Sequence, residues 1–229
     1  VVQDPGVRSH REKSFYIYRF LCRDLDNVWE YEFPGTINHA LLSSDEKMLV
    51  CIVGETVTLY NTEDGKVEGE FKTGMIDPVL ASLSLEGELI LTGSMEDEEG
   101  AKMFCKAFLL TGEELWTNSL IAPALVQPPA CGEDRHVYLI DNMCLKCLAG
   151  GELKWSTPPF FDEKAVLTVT KGNYVLVHSG AVLYLYDPAG ERIFESIISK
   201  EGDEFGIPPA VDSQGRIYII SDSKLYCLG

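Results

Sequence analysis

The stretch Thr111-Gly112-Glu113-Glu114-Leu115-Trp116 returns 39 residues later as Gly150-Gly151-Glu152-Leu153-Lys154-Trp155. A third copy, Ala189-Gly190-Glu191-Arg192-Ile193-Phe194, follows after another 39 residues, with Phe in place of Trp. Between two such copies lie a Pro-rich entry, two short apolar runs and a turn that contains Gly. A period of about 40 residues built from short strands is typical of repeat folds.

The same pattern, extended along the whole chain, has five anchor positions. They are Trp29, Gly69, Trp116, Trp155 and Phe194, with spacings of 40, 47, 39 and 39 residues. Gly69 stands where the other copies have an aromatic residue. The longest interval contains an acidic insertion at residues 95–100, which we expect to form a loop because insertions into repeats map to loops. A second phrase supports the period, since Pro128-Pro129-Ala130 returns as Pro208-Pro209-Ala210 after two units.

Each unit contains four short segments with the character of strands. We expect first strands at residues 37–42, 78–83, 128–131, 165–169 and 208–211. Second strands are expected at 48–53, 88–92, 136–140, 174–178 and 216–220, and third strands at 57–60, 103–109, 143–148, 182–186 and 224–228. The fourth strand carries the anchor. Alternating apolar residues, β-branched and aromatic enrichment and Gly, Asn or Asp turns favour strands, so the prediction is an all-β protein.

The two ends of the chain read as partial units. Residues 1–5 and 14–22 parallel residues 90–93 and 103–109, and the chain ends just after a third strand. Four complete units lie between, which predicts a β-propeller of four-stranded blades, with about five to six blades, in a single domain over residues 1–229. The two ends could complete one closing blade, or the chain could be a fragment of a larger ring, and the sequence leaves both open.

The residues resemble one family. The phrase Pro208-Pro209-Ala210-Val211-Asp212-x-x-Gly215-x-Ile217-Tyr218, the Gly-Glu-x-x-Trp turns and the Tyr- and Leu-rich strands resemble the repeats of pyrroloquinoline-quinone-like β-propellers. That family includes the quinoprotein-dehydrogenase-like enzymes and non-enzymatic relatives such as the outer-membrane-assembly lipoprotein propeller. The resemblance covers nearly all of the chain and is strongest over residues 108–229. Such phrases specify a fold better than a function.

The enzymatic members of the family are not matched. They hold a quinone and calcium in an eight-bladed ring, with an adjacent cysteine pair and a Trp beneath the cofactor. This chain has no adjacent cysteines, too few units for eight blades, and three Trp residues that are all anchors. We expect Trp29, Trp116, Trp155 and Phe194 to wedge between neighbouring blades, with the preceding Gly at positive φ. The chain therefore falls in the non-enzymatic branch, and we assign it no cofactor.

Composition restricts partners and compartment. The net charge of −17 disfavours binding to nucleic acid and to anionic membranes, and no apolar run is long enough for a membrane span. Seven scattered cysteines do not resemble a disulfide framework, which slightly favours a reducing compartment such as the cytoplasm. The chain begins with Val1, so an N-terminal signal could be missing and the localisation stays unknown.

No motif specifies a catalytic or metal site. Cys144-Leu145-Lys146-Cys147 matches the C-x-x-C pattern, but residues three apart on a strand point to opposite faces. The acidic runs at residues 96–99 and 201–204 lack the spacing of a calcium loop. The histidines are expected to be structural or at the surface, and they are His10, His39, His136 and His178. We therefore assign no catalytic, cofactor-binding or metal-ligating residue.

Two functions remain. The first is a non-enzymatic scaffold or recognition module that binds a protein or a small-molecule ligand at a propeller face. The alternative is an enzyme whose site lies in the central funnel and is formed by scattered residues such as His39, Asp77 and Glu163. A polar, convergent funnel pocket would favour the enzyme, and a narrow channel lined by small residues would favour the module.

Overall fold

The structure is a computed structural model that describes residues 15–20, 27–33, 36–97, 100–121, 127–198, 207–220 and 224–228. Within these residues the secondary structure is all β and contains no helix. The strands form six antiparallel sheets, which we number in chain order. Consecutive strands pair with each other in every sheet, so each sheet is a simple meander.

The sheets have the following strands. Sheet 1 contains β1 (Phe15–Phe20) and β2 (Asn27–Phe33). Sheet 2 contains β3 (His39–Leu42), β4 (Met48–Val53), β5 (Thr56–Asn61) and β6 (Val67–Lys72). Sheet 3 contains β7 (Ile76–Leu83), β8 (Glu88–Asp97), β9 (Gly100–Leu109) and β10 (Glu114–Ser119). Sheet 4 contains β11 (Ala130–Cys131), β12 (His136–Asp141), β13 (Cys144–Ala149) and β14 (Glu152–Ser156). Sheet 5 contains β15 (Val166–Val169), β16 (Val175–Ser179), β17 (Val182–Tyr186) and β18 (Arg192–Ile197). Sheet 6 contains β19 (Ala210–Val211), β20 (Ile217–Ile220) and β21 (Leu225–Leu228).

Sheets 2 to 5 have the four-stranded meander of propeller blades, which confirms the predicted all-β, propeller-type fold. Sheets 1 and 6 contain two and three described strands. In that part of the chain, β1 pairs with β2 and β21 pairs with β20, and the two sheets are not joined to each other.

The anchor positions share one backbone irregularity. Each anchor pairs with a residue of the preceding strand, and a β-bulge lies immediately N-terminal to it. This holds for Trp29, Gly69, Trp116, Trp155 and Phe194. The bulge leaves the residue just before the anchor without a cross-strand partner. A bulge adds twist and redirects side chains. The same register recurs at all five positions, Gly69 included.

The hydrophobic core is divided among the junctions between successive sheets. One cluster combines Val50 and Ile52 of sheet 2 with Leu89 and Leu91 of sheet 3, while Ile90 belongs to the next cluster, with sheet 4. Further clusters join sheets 4 and 5 and sheets 5 and 6. Because side chains alternate between the two faces of a strand, each second strand contributes apolar residues to the clusters on both faces of its sheet. A single sheet could not bury both faces alone.

At the four junctions from sheet 1 to sheet 5, an aromatic ring also packs on a glycine. A Cβ placed at Gly65 would lie 2.7 Å from Cδ2 of Trp29, and one at Gly190 would lie 2.6 Å from Cδ2 of Trp155. Gly151 meets Trp116 in the same way, at 2.8 Å. Each of these glycines lies in the turn between the third and fourth strands of the following sheet, at positive φ. The glycine therefore serves both the turn and the ring of the preceding sheet.

Gly69 and Phe194 differ from the other three anchors. Gly69 has no ring, and Phe71, two positions later, provides it, since a Cβ at Gly112 would lie 2.9 Å from Cγ of Phe71. Phe194 has the expected register and is 47% exposed among the described residues. The turn after β21, where the other units place the covering glycine, lies outside the described residues, so the packing of Phe194 against a further sheet stays a prediction.

The acidic insertion corrects another expectation. Met95, Glu96 and Asp97 extend β8, where they pair with Lys102, Ala101 and Gly100 of β9. The insertion therefore lengthens an antiparallel hairpin and does not form a loop, because each added residue of one strand finds a backbone partner on the other. Residues 98–99, together with residues 1–5 and the acidic run at residues 201–204, lie outside the described residues.

Candidate functional site

The turn between the first and second strands, which we call the first turn, is closed by the same backbone hydrogen bond in four sheets. A backbone hydrogen bond closes it around three residues, as in Gly132 N to His136 O, Thr170 N to Tyr174 O and Asp212 N to Arg216 O. The same bond joins Ser84 N to Glu88 O in sheet 3. The third enclosed residues are consequently equivalent, and they are Gly87, Arg135, Asn173 and Gly215.

At two junctions the side chain at this third position reaches the preceding sheet. Arg135 Nε lies 3.1 Å from Oε1 of Glu88, whose side chain is 4% exposed. Asn173 Oδ1 accepts a hydrogen bond from Glu133 N at 2.7 Å, and its Nδ2 donates to Glu133 O at 3.2 Å. Gly132 permits this approach, since a Cβ there would lie 2.2 Å from Asn173 Oδ1. Both residues adopt positive φ, and their bonds across the junction offset the backbone strain.

The junction between sheets 5 and 6 lacks this closure. Gly215 has no side chain, and a Cβ at its position would meet nothing within 4 Å. Thr170 takes the place that Gly132 has in sheet 4. A groove of about 720 Å³ opens between the two sheets, and we call it the sheet 5/6 groove. Its lining residues are Thr168, Val169, Thr170, Lys171, Tyr174, Leu176, Leu185, Val211, Asp212, Ser213, Gly215 and Ile217.

The charged groups of the sheet 5/6 groove are Lys171 and Asp212. Asp212 accepts hydrogen bonds from Gln214 N, Arg216 N, Arg216 Nε and the Tyr218 hydroxyl. Burial alone would raise the pKa of Asp212, but these hydrogen bonds outweigh it and hold the pKa below its usual value. The carboxylate thus stabilises its own turn, and the remaining lining groups are apolar or neutral, apart from the exposed Lys171.

A smaller cavity of about 350 Å³ lies among the first strands and shares Thr168 and Val169 with the groove. Its hydroxyls already have partners, because Ser82 Oγ donates to Pro129 O and Thr168 Oγ1 donates to Pro209 O, each at 2.5 Å. Both acceptors are the second Pro of the Pro-Pro-Ala phrase that returns after two units. The other lining residues are Gln127, Pro128, Ala130, Cys131, Leu167 and Pro208, so this inner cavity is uncharged.

Two of the three residues named for a funnel enzyme lie away from the groove and the inner cavity. His39 is half-buried at the start of β3, and Glu163 is exposed in the turn before β15. Neither lines the sheet 5/6 groove or the inner cavity. Asp77 lies within β7, and its side chain is outside the described part of the structure.

The two cysteines of the C-x-x-C match lie in β13, as predicted. Cys147 is fully buried opposite Tyr138, and it packs with Leu145 toward sheet 5. Cys144 is three residues earlier, on the other face of the strand, and its Sγ contacts Asn142 O at 3.5 Å. Burial raises the pKa of the Cys147 thiol to about 11. The expectation that the strand holds the two thiols on opposite faces is confirmed.

The remaining candidates for metal binding are dispersed. Within the described ranges, no three His, Cys, Asp or Glu side chains are placed to share an ion. His136 opens β12, with Nδ1 at 2.9 Å from Glu133 O. His178 is 1% exposed in β16, and burial lowers its pKa, although Asp162 and the backbone of Gly180 oppose the shift.

Solved structures resemble this one at low sequence identity. A protein of unknown function from Bacteroides caccae has a TM-score of 0.58 and 12% identity, covering 89% of this chain and 78% of that chain. A functionally unknown protein from Desulfotomaculum acetoxidans DSM 771 has a TM-score of 0.69 and 13% identity, with 93% and 71% covered. BamB from Moraxella catarrhalis has a TM-score of 0.45 and 10% identity, with 88% and 85% covered. The first two likenesses show a shared fold alone, and we draw nothing from the third.

No protein-family model matches the chain, and no curated protein matches it. The described residues contain no helix with the length and apolar character needed to cross a membrane.

Proposed function

We propose that the protein is a non-enzymatic recognition module that binds an amphipathic ligand in the sheet 5/6 groove. One observation carries the proposal: the groove opens at the junction where Gly215 stands in place of the bridging side chains that the turns of sheets 4 and 5 carry. Binding pockets are concave and mostly apolar, with a few polar groups that orient the ligand. The groove combines Val169, Leu185 and Ile217 with the hydroxyls of its turns and with one cation, Lys171.

The ligand class follows from these groups. An apolar body would cover the aliphatic wall, and an anionic or hydroxyl-bearing head would lie toward Lys171. The carboxylate of Asp212 is saturated by four donors, so it offers little to a cationic ligand. The net charge of −17 disfavours nucleic acid as the partner.

We also propose that the six sheets form a single domain of the pyrroloquinoline-quinone-like type, in its non-enzymatic branch. The core clusters support one domain, since each is shared between two successive sheets. The Gly-Glu-x-x-Trp phrase supports the family, because the turn glycine both bends the chain and receives the preceding ring.

A transplant of the closed junction tests the groove. The double variant Thr170→Gly with Gly215→Asn rebuilds at sheets 5 and 6 the arrangement of Gly132 and Asn173. The probe is the anionic fluorophore 8-anilinonaphthalene-1-sulfonate, whose emission rises in an apolar site. We expect the parent to bind the fluorophore and the double variant to bind it at least about tenfold more weakly, because the Asn side chain would close the groove. Asn is suitable here because it tolerates the positive φ of this turn.

The matched control is Thr170→Gly alone, which removes a side chain and leaves the groove open. We expect it to bind the fluorophore like the parent. Equal binding by the double variant would show that the groove is not the site. Substrate turnover by the purified parent would contradict the non-enzymatic part of the proposal.

A further inference from the structure

A third cavity, which we call the side cavity, lies where sheet 4 meets the outer part of sheet 5. Its volume is about 340 Å³. One wall is the segment that follows β14, with Thr157, Pro158 and Phe160, and the other is formed by Tyr186 and Arg192 beside the last turn of sheet 5. It shares no lining residue with the sheet 5/6 groove.

Tyr186 carries the main observation. Its side chain is 2% exposed, and its hydroxyl is buried without a hydrogen-bond partner among the described residues. Leaving a buried hydroxyl unpaired costs about 1–3 kcal/mol, so an acceptor that reached this hydroxyl from the cavity would be favoured. Burial raises the pKa of Tyr186 to about 12, against the opposing charge of Arg192. The hydroxyl therefore stays protonated and can donate near neutral pH.

Arg192 supplies a charge on the same side of the cavity. One of its terminal nitrogens lies 2.9 Å from Glu195 Oε2, and its Cζ lies 5.9 Å from the centre of the Tyr184 ring. A guanidinium has five N–H donors in a fixed plane, so this ion pair does not exhaust it. Two donors of different types, a phenol and a guanidinium, thus border one cavity.

An aromatic surface completes the cavity. The ring of Phe160 is 43% exposed, and it is held by Phe161 at 4.1 Å and by the edge of Tyr184 at 5.4 Å. Backbone hydrogen bonds from Phe160 N and Phe161 N to Met143 O fix the segment. An exposed ring with such support is a surface on which another flat ring can pack.

We propose that the side cavity binds a small aromatic carboxylate. The carboxylate oxygens accept hydrogen bonds from the Tyr186 hydroxyl and the Arg192 guanidinium, and the ring packs on Phe160. A carboxylate matches this pair of donors because it offers two oxygens and a negative charge. The site goes beyond the proposed function, since it is separate from the groove.

Calorimetric titration of the full 229-residue chain with benzoate tests the proposal. We expect saturable binding of benzoate, and binding at least about tenfold weaker for benzamide, which has the same shape without the charge, and for acetate, which lacks the ring. Equal affinity for benzoate and benzamide would overturn the role of Arg192, and no binding of benzoate at millimolar concentration would overturn the site.

Tyr186→Phe separates binding from folding, because it removes only the unpaired hydroxyl. We expect it to melt at or above the temperature of the parent and to bind benzoate about tenfold more weakly or worse. Tyr184→Phe is the matched control, a neighbouring phenol outside the cavity lining, and it should bind benzoate like the parent. Unchanged affinity in Tyr186→Phe would contradict the assignment.

Discussion

The junction between sheets 4 and 5 and the junction between sheets 5 and 6 use the same strands but close differently. At the first, Trp155 covers Gly190 and donates its indole N–H to Pro188 O at 3.0 Å, while Asn173 bonds to the backbone of Glu133. At the second, the turn that would face the equivalent ring of Phe194 lies outside the described residues, and Gly215 leaves the groove open. Sheet 5 takes part in both.

The comparison shows that a junction depends on two devices in addition to its apolar core. An aromatic ring on a glycine fastens the outer part, and a side chain of the first turn bridges to the preceding sheet. Each device depends on one or two residues. Between sheets 5 and 6 the first-turn bridge is missing, the strands are kept and a groove opens, so a binding site can arise without a change of fold.

The largest expected difference between the junctions comes from removing the anchor ring. Trp155→Ala should lower the free energy of unfolding by about 3 kcal/mol, because a half-buried ring leaves a cavity beside Tyr138 and Gly190. Phe194→Ala, at the same register position, should cost about 1 kcal/mol or less because that ring is already half in water. Urea denaturation of both variants measures the difference. Equal losses would mean that the ring on the glycine contributes nothing.

A smaller difference is expected for the turn glycines. Gly190 and Gly215 have nearly the same φ, +86° and +82°, but only Gly190 is covered by a ring. Gly215→Ala should cost about 1–2 kcal/mol from the backbone alone, whereas Gly190→Ala should cost about 1–3 kcal/mol more because its Cβ collides with Trp155. Melting temperatures of the two variants give the comparison. In a Trp155→Ala background the extra cost of Gly190→Ala should disappear.

The smallest expected effect is a pH dependence in sheet 5, which the two junctions share. The pKa of His178 is lowered by burial, so the unfolded chain binds a proton more readily than the folded one. Stability from this residue is complete above the unfolded pKa of about 6.5 and is lost as the pH falls toward the folded value, by up to about 1.4 kcal/mol per pH unit.

Comparison of the parent with His178→Leu isolates that contribution, since acidic residues titrate in both proteins. Unfolding free energies at pH 7.5, 6.5 and 5.5 should fall more steeply for the parent. Parallel curves for the two proteins would show that His178 does not titrate differently in the folded state.

Much of the fold could be predicted because it is periodic. Most strands lie within one or two residues of the bounds that the sequence predicts, because strand alternation and turn glycines are local signals. The acidic insertion is predicted to be a loop, and this prediction is wrong. The sequence of the segment added to β8 does not show that it pairs with the segment added to β9. A comparison of the anchor positions alone does not identify the ring of Phe71. The sequence signal for that ring is Gly112, which holds the position of the turn glycine four residues before Trp116 and is covered by Phe71.

The candidate sites were less accessible to prediction. Gly215 and Asn173 are both ordinary turn residues in the sequence, and their different roles appear only when the preceding sheet is beside them. The buried hydroxyl of Tyr186 looks like any tyrosine of a Tyr-rich strand. The signal for the groove appears when the first turns are aligned by their closing hydrogen bond instead of by the anchor, because Gly215 then takes the position of Asn173.

By itself, the sequence determined the repeat, the strands, the turns at positive φ and the positions of the anchors, because these depend on neighbours along the chain and on a fixed period. Only the tertiary structure decided which rings are covered, which junctions are bridged and where cavities remain. Those properties depend on contacts between residues of successive units, such as Trp155 with Gly190, and on the space that a missing side chain leaves between two sheets.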